Sequence, residues 1–335
     1  MKENIRFTPC CGGEAGGARS GVTASGRRGF LKGLATVAAA AAAPGCIFLG
    51  KPSEYDATLT VFLSDIHVCG DPSLTRWHYT RAELDTRVAE ILAMRPLPRR
   101  VVCFGDLAFN AGDPRDYRLA AATFKLLRDA GIEVTHAMGN HDRRAPFLEA
   151  FPEYAGKSPV EGRLVSVVKT PAFDLILLDS MKGDGGPVEG ALDDAQQQWL
   201  EAELPKWPCP VFVGAHHGHN ELRVAGAPLL TLLKRSPKVV GYINGHVHRW
   251  ARQWSVNWSG GNERTIRWMS LPSAGFWGDI GSVRFRAFPG RAEAELVQHA
   301  FWFNDPTSFG KKKPSVWGVI TRENQGERCT FPLNG

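Results

Sequence analysis

The sequence predicts a layered α/β domain beginning near residue 57. Two observations carry that expectation. Short apolar runs of four to six residues alternate with segments of helical periodicity. A chain of 335 residues with 43% hydrophobic and 22% charged side chains also has globular composition and the length for a large core.

The elements follow in order. "TLTVFL" (58–63) reads as the first strand; Leu84, Val88, Ile91 and Leu92 then recur at helical spacing, and Pro96 closes the segment. "VVCF" (101–104) is the second strand. After it Asp113 and Pro114 read as N-cap and first helical residue, Tyr117, Ala121, Phe124 and Leu127 as the inward stripe, and Gly131 as the stop. "VTHAM" (134–138), "LILL" (175–178), "VFVGA" (211–215) and "VVGYI" (239–243) are further strands, with a third helix from Asp193 or Asp194 through Trp199 to Leu204.

Beyond residue 250 the pattern becomes alternating, β-rich and Trp-rich. Trp250, Trp254 and Trp258, spaced four apart, fall on one face of a strand, as a sheet-packing face or as a stacking platform for a ligand. Neither linker nor repeat interrupts 57–300. The expected division is a leader (1–46), one domain (47–300) and a surface-hugging tail (301–335) that carries Lys311 to Lys313.

The leader has its own chemistry. Residues 10–26 are Gly-, Ala- and Ser-rich without apolar period, and "SGRRGFLKGLATVAAAAAAPGC" follows, ending at Cys46. Arg27, Arg28, Phe30, Leu31 and Lys32 before an apolar segment resemble a bacterial twin-arginine export signal, and that segment is too short for a mature membrane span. An Ala-rich amphipathic helix is the alternative, weakened by the lack of a polar face. The resemblance implies an exported protein, periplasmic, extracellular or membrane-tethered, with the twin-arginine machinery as a partner. "APGC" leaves open a lipid anchor at Cys46 or simple cleavage after the alanines.

Residues 1–46 hold six basic side chains against Glu3 and Glu14, which is +4 of the formal +6. The rest of the chain is near +2 (6 minus 4), so the overall pI near 9.0 is no argument for a nucleic-acid partner, and none is indicated. Seven cysteines without a C-x-x-C pair argue against a disulfide framework. Cys69 and Cys103 read as buried thiols, and a Cys209–Cys329 pair stays open.

Five of the six apolar runs are followed at once by polar clusters. "VFLSDIH" delivers Asp65 and His67, "VVCFGD" delivers Asp106, and "VTHAMGNHD" delivers Asn140, His141 and Asp142. "VFVGAHHGH" delivers His216, His217 and His219, and "VVGYINGHVH" delivers His246 and His248. In open α/β sheets the C-terminal strand ends form the binding edge, so residues distant in sequence can converge there. Any one cluster is poor evidence; five in order, each after an apolar run, are not. Asp, Asn and His suit Mn, Fe, Zn or similar divalent ions. The glycines before Asp106, Asn140 and His246 fit tight turns that bring the next side chain over the edge.

The order D-x-H, G-D, G-N-H-D, a strand-end His and G-H-x-H resembles the calcineurin-like metallophosphoesterase superfamily over residues 57–300. The resemblance implies a four-layer α/β/β/α sandwich of two mixed sheets flanked by helices, with a dinuclear metal site at the strand C-terminal ends. It implies Asp65, His67 and His248 as ligands of one ion, Asn140, His216 and His246 as ligands of the other, and Asp106 bridging both. His141 matches the histidine that meets the substrate phosphate or leaving oxygen, with Asp142 either fixing its tautomer or capping a turn.

The chain departs from the pattern in two places. Gly218 and His219 stand where many relatives carry prolines, which makes His219 a candidate substrate contact. Arg143 and Arg144 after G-N-H-D can grip a phosphate or lie solvated.

The reaction implied is hydrolysis of a phosphate mono- or diester by hydroxide held between two divalent ions, which also neutralise charge on the phosphoryl oxygens. No G-x-S-x-G elbow competes, and the H-x-H-x-D-H signature of metallo-β-lactamase-like hydrolases is absent. A non-catalytic, metal-stabilised envelope module presenting the Trp-rich end is the competing class.

Overall fold

Period-two alternation along strands buried on both faces sorts the apolar side chains into separate cores, and this decides the layering. The computed structural model describes residues 54–74, 79–184, 189–224, 227–253, 266–276, 278–299, 301–305, 315–320 and 325–333, all within the unit Ile47–Gly335. The strands are β1 (Tyr55–Leu63), β2 (Leu97–Cys103), β3 (Glu133–His136), β4 (Ser166–Lys169), β5 (Asp174–Leu177), β6 (Val211–Ala215), β7 (Arg223–Val224), β8 (Ala227–Pro228) and β9 (Val239–Asn244). After them come β10 (Ala251–Gln253), β11 (Arg267–Ser270), β12 (Gly281–Phe288), β13 (Arg291–Gln298), β14 (Phe301–Asp305), β15 (Ser315–Ile320) and β16 (Arg328–Pro332).

Two mixed sheets of six strands result, in the orders β16-β13-β12-β1-β2-β3 and β10-β11-β9-β6-β5-β4. β1, β2 and β3 run parallel in the first, and β5, β6, β9 and β11 in the second, with antiparallel strands completing the edges. Hairpins β7–β8 and β14–β15 stand apart from both sheets.

The helices are α1 (Tyr79–Leu92), α2 (Pro114–Asp129), α3 (Arg144–Ala150), α4 (Asp194–Glu203) and α5 (Leu229–Leu233). Val61, Leu63, Val101 and Cys103 face Leu84, Val88, Tyr117, Phe124 and Phe147 of α1, α2 and α3 in one core. Their neighbours Phe62, Val102 and Phe104 turn the other way, meeting Leu175, Phe212, Phe285 and Phe331 between the sheets. Ile176, Val211 and Val213 point outward again, onto Leu200 of α4 and Leu229 and Leu232 of α5. The order is helix, sheet, sheet, helix, as expected.

The α2 cap forms as read: the Asp113 carboxylate accepts from the Arg115 amide at 2.8 Å, and Pro114 opens the helix. Ala120, one residue before the expected Ala121, is the fully buried alanine of the stripe, with Ala121 partly buried. Asp193 caps α4, which continues into a 3₁₀ turn at Leu204–Lys206. Helices α3 and α5, of 7 and 5 residues, are too short to show a period and were not expected.

The end of the chain differs from expectation. β16 pairs antiparallel with β13 and buries Cys329 and Phe331 between the sheets, so these residues are an edge strand and not a surface tail. Lys311 to Lys313 lie outside the described residues, as do the leader with Cys46, and Trp254 and Trp258 of the tryptophan series. Trp250 joins the inter-sheet core. Cys209 and Cys329 are both free thiols, so the open pairing between them is not made. Among the described residues no helix is long and apolar enough to cross a membrane.

Candidate metal centre

The chain turns sharply as it leaves β1, β2 and β9, and the turns are made by the polar residues themselves. Asp65, His67, Asp106, His246 and His248 have φ of 52°, 51°, 52°, 71° and 52°. Left-handed backbone costs a non-glycine residue roughly 1–2 kcal/mol and clusters where side chains must be aimed. The loops also approach closely. A Cβ on Gly139 would collide with the Asp106 amide and carboxylate, so only glycine fits before Asn140.

The side chains gather into two groups that share Asp106. In one, His67 Nε2 lies 3.4 Å from His248 Nε2 and 3.5 Å from Asp106 Oδ2, and His248 Nε2 lies 3.3 Å from Asp65 Oδ1. In the other, Asn140 Oδ1 lies 2.9 Å from His216 Nε2 and 3.1 Å from His246 Nδ1, with His216 Nε2 3.2 Å from Asp106 Oδ2. Donors bound to one divalent ion at about 2.0–2.2 Å stand roughly 2.9–3.5 Å apart, so the separations fit an ion in each group.

Backbone carbonyls fix the imidazoles. His67 donates from Nδ1 to the Phe109 carbonyl at 3.0 Å, and His216 from Nδ1 to the Phe104 carbonyl at 2.8 Å, which leaves each Nε2 as the inward donor atom.

Electrostatics agree with the donor set. Burial alone would raise Asp106, but the attraction and hydrogen bond of His216 outweigh it and hold the carboxyl well below the usual range. Asp65 is likewise lowered, its burial overcome by His248. Burial drops His67 to about 4, whereas His216, despite burial, is raised to about 10 by Asp106. Two buried, ionised carboxylates thus concentrate negative charge, and a proton on His216 stands where a metal cation would replace it.

Not every expected contact forms. His141 donates from Nδ1 to the Asn110 carbonyl at 2.7 Å and does not lean on Asp142; its ring lies 5.0 Å from that of His67. The Asp142 carboxylate instead accepts from the amides of Leu107, Ala108 and Gly139 at 3.1, 3.0 and 2.9 Å and from the Tyr117 hydroxyl at 3.1 Å. It is the turn-capping alternative, extended to two loops.

Arg144 binds the fully buried Asp179 through Nε and Nη2, both at 2.7 Å, and is not available to a phosphate. Arg143 borders Gly112 with its side chain and donates its amide to the Tyr117 hydroxyl at 2.6 Å. His219 packs edge-on against Tyr242 and Trp268, at 5.9 and 5.5 Å.

Two neighbours escaped the sequence reading. "LILL" also ends in a polar pair, Asp179 and Ser180, and Ser180 Oγ meets His217 Nδ1 at 2.8 Å. Glu221, on the loop after β6, places Oε2 3.5 Å from His246 Nε2. Strand-end spacing would have flagged the first; nothing local distinguishes Glu221 from a solvated glutamate.

The α/β/β/α fold and the sequence of strand-end residues agree on a class: the chain belongs to the calcineurin-like phosphoesterase family, whose pattern matches residues 59–250. It is similar to a probable cyclic nucleotide phosphodiesterase of Rhodococcus erythropolis, 29% identical over 164 residues, which are 47% of this chain and 51% of that one. It is also similar to the cAMP/cGMP dual specificity phosphodiesterase MT0825 of Mycobacterium tuberculosis, 30% identical over 162 residues, 46% of this chain and 48% of that one. The match thus spans about half the length of these curated relatives. A dimetal phosphatase from Danio rerio shares the fold, with a TM-score of 0.56 at 15% identity over 72% of this chain and 96% of that one.

Proposed function

We propose that the chain hydrolyses phosphate monoesters or diesters at this cluster with two divalent ions as cofactor, and that cyclic nucleotides are the first diesters to try. One observation carries the reading. Asp106 Oδ2 stands 3.5 Å from His67 Nε2 and 3.2 Å from His216 Nε2, so a single carboxylate oxygen joins two donor groups. Asp65, His67 and His248 would hold one ion, Asn140, His216 and His246 the second, with Asp106 between them. When bound, the ions supply Lewis acidity toward phosphoryl oxygens and a water acidified to a pKa of about 7.

The chain's own groups do the rest. Buried carbonyls and carboxylates hold the imidazoles so that little reorganisation accompanies the reaction. His141 has its Nδ1 proton committed to Asn110, and Nε2 of its imidazolium form is the atom that gives a proton to the leaving oxygen. The phosphodiesterases among the relatives supply the diester choice, and Mn, Fe and Zn remain candidates for the ions.

We also propose that residues 27–46 direct export by the twin-arginine route, with Cys46 as the site of an optional lipid anchor. Replacing Arg27 and Arg28 with Lys should retain the protein in the cytoplasm, and an unchanged distribution on fractionation would refute it.

For the catalytic reading, an aryl phosphate monoester, a bis-aryl diester and cyclic nucleotides are assayed with Mn²⁺, with and without chelator. Turnover should require metal and vanish in Asp106→Ala along with bound metal. Full activity in that variant would overturn the assignment.

A further inference from the structure

Beside the groups just described, and overlapping the second of them at His246, lies a third set of donors. His217, Glu221 and His246 each offer one ligand atom, and the three atoms lie within 4.8 Å of one another. We propose that they form a separate binding site for a single divalent cation such as Zn²⁺, sharing His246 with the centre through its two ring nitrogens.

His246 turns Nδ1 toward Asn140 at 3.1 Å and Nε2 toward Glu221 at 3.5 Å, so its nitrogens address opposite sides. His217 is buried, its Nδ1 is held by Ser180 Oγ at 2.8 Å, and its ring lies 4.8 Å from that of His246. The two imidazoles are thus set before any ion arrives. Gly190 keeps this space, since a Cβ there would stand 2.6 Å from His217 Cγ.

Glu221 is the adjustable member. Its side chain is about one-third exposed, and Oε1 accepts from the Gly218 amide at 3.0 Å, closing a local turn of the loop. Neighbouring donors around tetrahedral Zn²⁺ stand about 3.3 Å apart. The His246–Glu221 pair at 3.5 Å is already near that spacing, and the three ligand atoms all lie within 4.8 Å of one another.

Two imidazoles and one carboxylate suit a borderline ion with open positions for water or substrate. An ion there places positive charge next to His246, on the side of its ring away from Asn140. The inference takes from the catalytic reading only that Nδ1 of His246 faces the centre.

The test is zinc stoichiometry and affinity of the full chain, by equilibrium dialysis with elemental analysis. Wild type should bind one Zn²⁺ beyond those lost in Asp106→Ala. Glu221→Gln should weaken that ion at least tenfold, and His217→Gln likewise. Glu221→His, which replaces the carboxylate with an imidazole, a far stronger neutral zinc donor than the Gln amide, should restore it. Because His217 is buried, the exposed-loop variants at 221 decide the matter if His217→Gln misfolds.

The proposal falls if wild type takes up no such ion, if Glu221→Gln binds it unchanged, or if Glu221→His fails to restore it, which would make Glu221 only an orienting partner of His246. Unchanged zinc in Asp106→Ala with one ion lost in Glu221→Gln would overturn the central assignment and leave the third site standing.

Discussion

The backbone amide of His141 donates to Asp106 Oδ1 at 2.8 Å, fixing the histidine at the open side of the cluster to the carboxylate at its middle. The ring of His141 is free of that duty. His141→Ala should therefore lower kcat by about 10²–10⁴, as loss of a general acid does, while bound metal stays constant. Parallel kinetics and elemental analysis check this, and loss of metal from the variant would make His141 a structural residue.

Gly139→Ala should be more damaging than its size suggests. The added methyl meets the Asp106 amide and carboxylate, which are backbone and a buried, hydrogen-bonded side chain with nowhere to retreat. Overpacking of this kind costs about 1–3 kcal/mol. Metal content and turnover should fall together, and a variant that kept both would show that the turn can open.

Arg144→Ala tests what the doublet after G-N-H-D does. Removing one partner of a buried pair leaves the Asp179 carboxyl without its counter-charge and with two hydrogen bonds lost, at a cost of about 3–5 kcal/mol. Denaturant unfolding should show that loss with KM unchanged. A tenfold rise in KM at unaltered stability would restore the phosphate-gripping role to Arg144.

His136 supplies a pH test away from the centre. Among Phe124, Phe147 and Phe151, with Nε2 lacking a hydrogen-bond partner, burial drops it to about 3. The unfolded chain protonates near the ordinary histidine value of 6.5 and so binds more protons than the native state between the two values. The contribution is present above pH 6.5 and is lost on acidification toward 3, at up to about 1.4 kcal/mol per pH unit. His136→Phe should flatten the slope of stability against pH between 6.5 and 4, and an identical slope would exclude His136 as its source.

The strand ends were legible because two independent patterns coincide there: apolar runs mark the strands, and Asp, Asn and His follow them directly. Loop carbonyls were not. Phe109 and Asn110 orient His67 and His141 through backbone oxygen, which every residue carries, so their side chains announce nothing. Arg144 misled for a related reason, since an arginine that answers a carboxylate distant in sequence looks the same as one awaiting a phosphate. Phe331 of β16 shows a third limit: that strand joins the first sheet through β13, a partner its own short pattern does not name.

The five left-handed residues at the strand exits set a direction for change in this protein. Glycine would sit more comfortably at each of those positions, yet each carries a side chain of the cluster. Selection for heat resistance alone would therefore favour hollowing out the centre while leaving the three hydrophobic cores untouched. A thermostable descendant recovered without an activity screen should be sequenced first at Asp65, His67, Asp106, His246 and His248.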